Sequence, residues 1–483
     1  MGRIIIYDGA EEIGGSKILV ETGKDKFLLD FGLNYKRRGL YFEEFLNPRV
    51  ANGIGDLYYL GLIPPIKGLY RKDLTKKLCQ NGNEELGKGD EPSPVDCIFV
   101  SHAHFDHSAY ISMVREDIPI FASSTTIALL KAMEESGATN FETSMFKFIK
   151  RDTTSSKNEE KYGTHDIRSI DSSVHLTESV VSPFSVDHSV PGAVGFVIQS
   201  PQATIVYSGD LRLHGKRRKD TEKFVHSAKE SKPDFFLVEG TNLGEKESGE
   251  FWTEQRVYEE ANEVFKKSEG LIIVNFSIRD VDRFLTFYEL AKAYGRKFVL
   301  TLRDAYLLKA MREIGLGVPG LDDPSIYFYL EKRRSGTYCD EDYREAWFKN
   351  IFTVIDSGKL LKASDIKKNE KEFLIILRFF DLQELVDIQP RPGSVYIHSS
   401  SEAHTEEQTI DETRLDNWLK AFGLPPKVHI HASGHAKRED IFGIIQEINA
   451  KVVLPIHTEH SEEIKKQFPD RVRIVKNFDI VNI

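Results

Sequence analysis

Cysteine is scarce: the 483-residue chain has three, Cys79, Cys97 and Cys339. They lie too far apart in sequence to form a zinc-type pair or a disulfide framework, which points to a reducing cytoplasm. No apolar run approaches the roughly 18 residues that a membrane-spanning helix needs, so no membrane role is expected. Residues 2–8, Gly-Arg-Ile-Ile-Ile-Tyr-Asp, read as a first strand and not as a secretory signal. An excess of positive charge is also missing. Lys and Arg total 65 against 75 Asp and Glu, a formal net charge of −10. That excludes a protein that coats nucleic acid through a global positive field. It leaves room for local basic clusters at Lys36-Arg37-Arg38, Lys216-Arg217-Arg218-Lys219 and Lys332-Arg333-Arg334. Hydrophobic residues make up 40%, enough for a substantial buried core.

Against this background, Ser101-His102-Ala103-His104-Phe105-Asp106-His107 places three imidazoles and one carboxylate in a short stretch. The apolar run Cys97-Ile98-Phe99-Val100 precedes it, so the ligand-type residues emerge where a buried strand ends. In an extended segment residues two apart point the same way, which lets His102 and His104 reach one ion together. Asp106 and His107 can then turn toward a second. Neutral imidazole and carboxylate suit zinc, manganese or iron.

Three further strands run into single polar residues. Val180–Val186 leads to Asp187-His188, Thr204–Tyr207 to Ser208-Gly209-Asp210, and Phe235–Val238 to Glu239-Gly240-Thr241. Near the C-terminal end, Lys451–Leu454 leads to Pro455-Ile456-His457. Strand ends that repeatedly present an acid or a histidine imply one shared site at a sheet edge. His102, His104 and His188 would hold one ion. Asp106, His107 and His457 would hold the other, with Asp210 bridging. Two ions about 3.5–4 Å apart can supply hydroxide at neutral pH and neutralise charge on a phosphoryl oxygen, which suits hydrolysis of phosphodiesters. From about residue 245 the texture changes to alternating strands and amphipathic helices, a parallel α/β unit. Residues 34–92 read as a long insertion with some helix, and residues 151–166 as an exposed polar loop.

The His-x-His-x-Asp-His run at 102–107, with His188 and Asp210 at their strand ends, resembles the metallo-β-lactamase fold. Glu239 in Val238-Glu239-Gly240-Thr241, His435 in Ser433-Gly434-His435-Ala436 and His457 in Pro455-Ile456-His457-Thr458 are similar to motifs A, B and C of the β-CASP nucleases. Asn275-Phe276-Ser277 followed by Asp282-Arg283, and Ile397-His398-Ser399-Ser400, are similar to segments of ribonuclease J-like members. The resemblance implies an αββα sandwich with an inserted α/β β-CASP domain. The expected domains are 1–240 and 394–483 for the two parts of the metallo-β-lactamase domain and 241–393 for the insertion. It implies two divalent metal ions, zinc with manganese as the alternative, and a ribonuclease acting on single-stranded RNA by 5′-to-3′ exonucleolytic or endonucleolytic cleavage. Asp106, Glu239 and His435 are then the catalytic set. Glu239 would orient a metal-bound histidine, and His435 would contact the scissile phosphate or assist the leaving oxygen. His457 would complete the second metal site, and Ser399 and Ser400 would hold a substrate phosphate. A homodimer is the assembly to test. Two features depart from the family pattern: Thr458 stands where glycine usually follows the motif C histidine, and Phe276-Ser277-Ile278-Arg279 replaces Phe-Ser-Ser-Asn. A DNA nuclease of the same group and a small-molecule ester or thioester hydrolase are the competing readings, since fold alone does not choose a substrate. An inactive scaffold would be expected to have lost ligands, and all seven are present.

Overall fold

The computed structural model describes residues 2–43, 45–80, 82–87, 91–137, 140–150, 162–244, 252–401 and 406–483. Contacts along the chain divide it into two units, one of residues 1–213, 217–249 and 434–483 and one of residues 214–216 and 250–433.

The first unit is built on two sheets. One has seven strands, in spatial order Ile480–Asn482, Arg3–Asp8, Lys17–Thr22, Asp25–Phe31, Cys97–Phe99, Ile120–Ala122 and Ile167–Ser169. The other has six: Val452–Pro455, Phe235–Val238, Thr204–Tyr207, Val194–Gln199, Val180–Ser185 and Val174–His175. Ile4, Ile6, Ile18, Val20, Phe27, Leu29 and Phe99 from the first sheet pack against Val181, Phe196, Ile198, Ile205, Leu237 and Leu454 from the second. The intervening residues Ile5, Leu19, Leu28 and Ile98 are buried too. These strands read as near-continuous apolar runs because both of their faces are covered. The outer face of the second sheet is covered by helices Arg218–Glu230 and Arg438–Ile448, through Phe224, Val225, Ile441, Ile444 and Ile445.

Parallel pairing decides where function can sit. Asp25–Phe31, Cys97–Phe99 and Ile120–Ala122 run parallel in the first sheet. Thr204–Tyr207, Phe235–Val238 and Val452–Pro455 do so in the second. Their carboxyl ends deliver Asp30, His102, Asp210, Glu239 and His457 to the same side, the edge at which open α/β sheets hold ligands.

The second unit is an α/β layer of its own. Its seven strands all pair parallel, in the order Leu360–Leu361, Ile326–Tyr329, Lys297–Thr301, Phe373–Ile376, Ile272–Asn275, Val395–His398 and Val428–His429. The αββα sandwich and the inserted α/β layer expected from the sequence are both present. The return to the sandwich differs in position. The sequence places it at 394, but Val395–His398 pairs with Ile272–Asn275 in the inserted sheet, and the first unit resumes only at Gly434. An apolar strand reads alike whichever parallel sheet it joins, so its partner was not legible. Of the expected polar loop, residues 151–161 lie outside the described residues; Tyr162–Thr164 forms a short hairpin with Lys147–Ile149, and Ile167 begins an edge strand. The 34–92 insertion contributes the helices Tyr35–Gly39, Gly55–Tyr59 and Lys72–Gln80.

His165, just before that edge strand, has its two ring nitrogens 2.7 Å from the Met145 carbonyl and 2.9 Å from the Val114 carbonyl. Burial outweighs both carbonyls and pulls its pKa down to about 4. Below pH about 6.5 the unfolded chain therefore binds a proton that the folded chain refuses. Stability should fall as the pH drops from about 6.5 to about 4, by about 3 kcal/mol from this group, with no further loss from it below that. Urea unfolding across that range should show the slope reduced in His165→Gln; an unchanged slope would place the effect elsewhere.

Candidate metal centre

Turns that follow the strands bring nine residues together. His102 Nε2 and His188 Nε2 each lie 3.1 Å from His104 Nδ1. Asp210 Oδ2 is 3.5 Å from His102 Nε2, 3.8 Å from His188 Nε2 and 3.2 Å from His107 Nε2. On the other side His457 Nε2 is 3.3 Å from Asp106 Oδ2 and 3.8 Å from Asp210 Oδ1, and Asp106 Oδ2 is 3.7 Å from His107 Nε2. Two donor groups result: His102, His104, His188 and Asp210, and Asp106, His107 and His457, each with its donor atoms within 4.8 Å of one another. Asp210 reaches both groups. A third grouping joins Asp210 and His457 to His435.

Buried partners behind the donors fix their orientation. Asp30, fully buried at φ 55°, accepts from Ser101 N at 2.7 Å, Ser101 Oγ at 2.8 Å and His107 Nδ1 at 2.7 Å. It also accepts from the Tyr207 hydroxyl. A His Nδ1–H held by a carboxylate turns Nε2 toward the ion, the usual arrangement behind a metal ligand. His188 Nδ1 is held in the same way by the Gly434 carbonyl at 2.6 Å. Thr241 Oγ1 lies 3.0 Å from His457 Nδ1 and 3.1 Å from His435 Nδ1. Glu239 takes Leu211 N and Thr241 N at 3.1 and 3.0 Å and sits 3.1 Å from His435 Nδ1.

Electrostatics separate the imidazoles. Burial, reinforced by the neighbouring histidines and only partly opposed by Asp210, holds His102 and His188 well below the ordinary histidine range, in the neutral form that ligates metal. Burial opposes protonation of His107 as well, but Asp210, Asp106 and Asp30 together outweigh it and raise its pKa. His435 is likewise raised, to about 9, with burial overcome by Glu239 and Asp210. Both Asp210 oxygens and His107 Nε2 are buried without a hydrogen-bond partner among the described residues. A carboxylate buried bare costs several kcal/mol unless a cation compensates it. Nitrogen and oxygen donors aimed at a common point supply a set that borderline and hard divalent cations accept. The residues present therefore fit bound divalent metal.

All seven ligand candidates named from the sequence, with Glu239 and His435, lie in this cluster. Glu239 meets His435, the histidine expected at the phosphate, at 3.1 Å. The two serines behave differently from each other. Ser399 in the inserted unit is buried, accepting from Arg283 Nη1 at 2.6 Å and donating to the Ile430 carbonyl at 2.6 Å, so its hydroxyl is fully committed. Ser400 Oγ lies 3.1 Å from His398 Nε2 and 3.3 Å from Asn275 Nδ2. By sequence Asp30, just ahead of Gly32, fits a turn as well as a support for the site, and nothing in the sequence marks Thr241, Ser101 or Tyr207 as functional. The available signal was their position at the same strand ends as the ligands.

Comparison with known proteins gives relatives along most of the chain. A model of the beta-lactamase superfamily domain matches residues 73–267. Ribonuclease J 2 of Streptococcus pyogenes is 21% identical over 99% of this chain and 75% of its own length. Ribonuclease J of Pyrococcus abyssi is 22% identical over 95% of this chain and 90% of its own, and that of Thermus thermophilus is 24% identical over 95% and 68%. A crystal structure of a protein of unknown function from Enterococcus faecalis V583 covers 99% of both chains with a TM-score of 0.73 at 22% identity, a likeness of fold.

Asp30→Ala would strand four buried donors. The metal-free protein should lose about 3 kcal/mol or more in chemical unfolding. Affinity for zinc, measured by competition with a chelating indicator, should drop about 10–100-fold as His107 loses its anchor. Parent-like zinc affinity in a folded Asp30→Ala protein would remove Asp30 from the support of the centre.

Proposed function

We propose, from the premise that this chain is a ribonuclease J-like member of the metallo-β-lactamase superfamily with a β-CASP insertion, that it is a two-metal phosphodiesterase cleaving single-stranded RNA. The observation that carries the reading is the Asp210 carboxylate, its two bare oxygens set between two groups of donors. His102, His104 and His188 would hold one ion and Asp106, His107 and His457 the other, with Asp210 shared between them. Sets rich in imidazole suit zinc, and manganese is the alternative. Bound there, two divalent ions lower the pKa of water and neutralise charge on a phosphoryl oxygen.

The chain's own groups account for the rest. Asp30 and Gly434 hold the tautomers of His107 and His188 through their Nδ1 atoms. Glu239 and Thr241 sit against Nδ1 of His435, which directs a protonated Nε2–H to a phosphate oxygen or to the leaving oxygen. Ser400, with His398 and Asn275 beside it, is the better placed of the two serines to meet a substrate phosphate, because Ser399 is already saturated. Similarity to several ribonucleases J over most of the chain supports RNA as the substrate and phosphodiester hydrolysis as the reaction.

The test is a 3′-labelled, 5′-monophosphorylated single-stranded RNA incubated with zinc- or manganese-loaded protein, beside Asp106→Ala. The parent should shorten or cut the RNA, and the variant should be slower by more than about 100-fold. A progressive ladder means 5′-to-3′ exonuclease action, and fixed bands mean endonuclease action. Cleavage of DNA or of a small ester with RNA left intact would overturn the proposal.

A further inference from the structure

A second buried charge pair lies beside this centre. Asp8 ends the first strand and Lys17 begins the second, and the two are register partners across the loop Gly9–Ser16. Lys17 is fully buried and Asp8 is 2% exposed. Lys17 Nζ donates to Asp8 Oδ2 at 3.0 Å and to the Gly15 carbonyl at 3.0 Å. The other Asp8 oxygen accepts from Gly9 N at 3.1 Å and Asn34 Nδ2 at 3.0 Å, and pairs with Arg37 Nη1 at 3.2 Å. One ammonium therefore ties both ends of the loop together. Burying two charges in this way seldom stabilises a fold more than apolar residues of the same size would. A role in orientation accounts better for such a pair.

What the loop holds is specific. At its start the Gly9 carbonyl accepts from His457 N at 2.6 Å, and His457 sits at φ 51°, a conformation few non-glycine residues adopt. At its end Gly15 N donates to the Asp106 carbonyl at 3.0 Å. Gly14, at φ 83°, lies so close that a Cβ there would come within 2.8 Å of Asp106 Oδ2. The loop thus grips the backbones of Asp106 and His457, the pair whose side chains meet at 3.3 Å. We propose that Asp8 and Lys17 are positioning residues that close the Gly9–Ser16 loop and so set the separation of Asp106 and His457, and with it the metal affinity of that half of the centre. This rests on the two-ion reading given above. The other half, His102, His104 and His188, has no contact with the loop among those described and keeps its affinity when the pair is removed.

The test compares the full-length parent with Lys17→Met and with Asp8→Asn/Lys17→Met, which leaves no unpaired charge from the pair. Each protein is equilibrated at a series of free zinc concentrations set by a chelator buffer, and bound zinc per chain is measured by elemental analysis. Thermal unfolding of each metal-free protein is recorded alongside. The expected result is two zinc ions per parent chain. The double variant should have a metal-free melting temperature close to the parent's, one zinc bound as in the parent, and the second weakened by tenfold or more. A folded double variant that binds two zinc ions with parent affinities overturns this proposal alone. So does failure of both variants to fold without metal, since the pair would then serve the fold and not the site. A parent that takes up no zinc overturns the two-ion reading and this proposal together.

Discussion

The buried Asp210 carboxylate is the group around which this structure is organised. It lies 2% exposed, both its oxygens lack a hydrogen-bond partner among the described residues, and five imidazoles approach to 4.0 Å or less. Left alone, such a group would protonate or unfold its surroundings. Here burial pushes it toward protonation, while His107, His457, His435 and His102 pull its pKa well below the ordinary carboxylate range. The carboxylate thus stays charged, with the pKa values of His107 and His435 raised in turn. A divalent ion on each side would relieve both problems, giving the oxygens a partner and leaving His107 a neutral ligand.

Holding that arrangement demands strain elsewhere. Asp30 and His457 both occupy left-handed backbone, and both end strands at the centre. Such conformations cost of order 1–3 kcal/mol each and persist only where the surroundings determine them. Four donors determine Asp30, and the Gly9 carbonyl fixes His457. Gly32 shows how close the backbones come, since a Cβ there would overlap the Asp106 carbonyl. The sandwich can carry this strain because its parallel strands are anchored on both faces by apolar packing.

Legibility in the sequence followed the physics of each feature. The candidate ligands stand out because metal chemistry favours particular residue types, here gathered at strand ends, as in 102–107, at Asp210 and at His457. The supporting residues do not, because Asp30, Thr241 and Tyr207 are ordinary in composition and acquire meaning only from what folds against them. Lys17 stands at the start of an apolar strand, and nothing local betrays a lysine that is fully buried. Val395–His398 was assigned to the wrong sheet for a related reason: strand propensity reports burial, while the partner is chosen by tertiary packing. Ser399 matched a phosphate-binding segment by sequence, yet the buried Arg283 claims its hydroxyl. Arg283 also bonds Glu254 and the Ser399 and Ala432 carbonyls, so it behaves as an internal tie of the inserted unit.

The point at which the chain re-enters the sandwich carries a consequence for chemistry. Gly434 is the first residue after the inserted unit, and its carbonyl holds His188 Nδ1. The next residue is His435, pinned by Glu239 and Thr241. Gly434 is also closely packed, because a Cβ would come 2.8 Å from Ser189 Oγ and 3.2 Å from the His188 ring. The return of the chain therefore sets the tautomer of one proposed ligand and the place of the residue proposed to meet the phosphate. A shift of a few tenths of an ångström at this junction would move both at once.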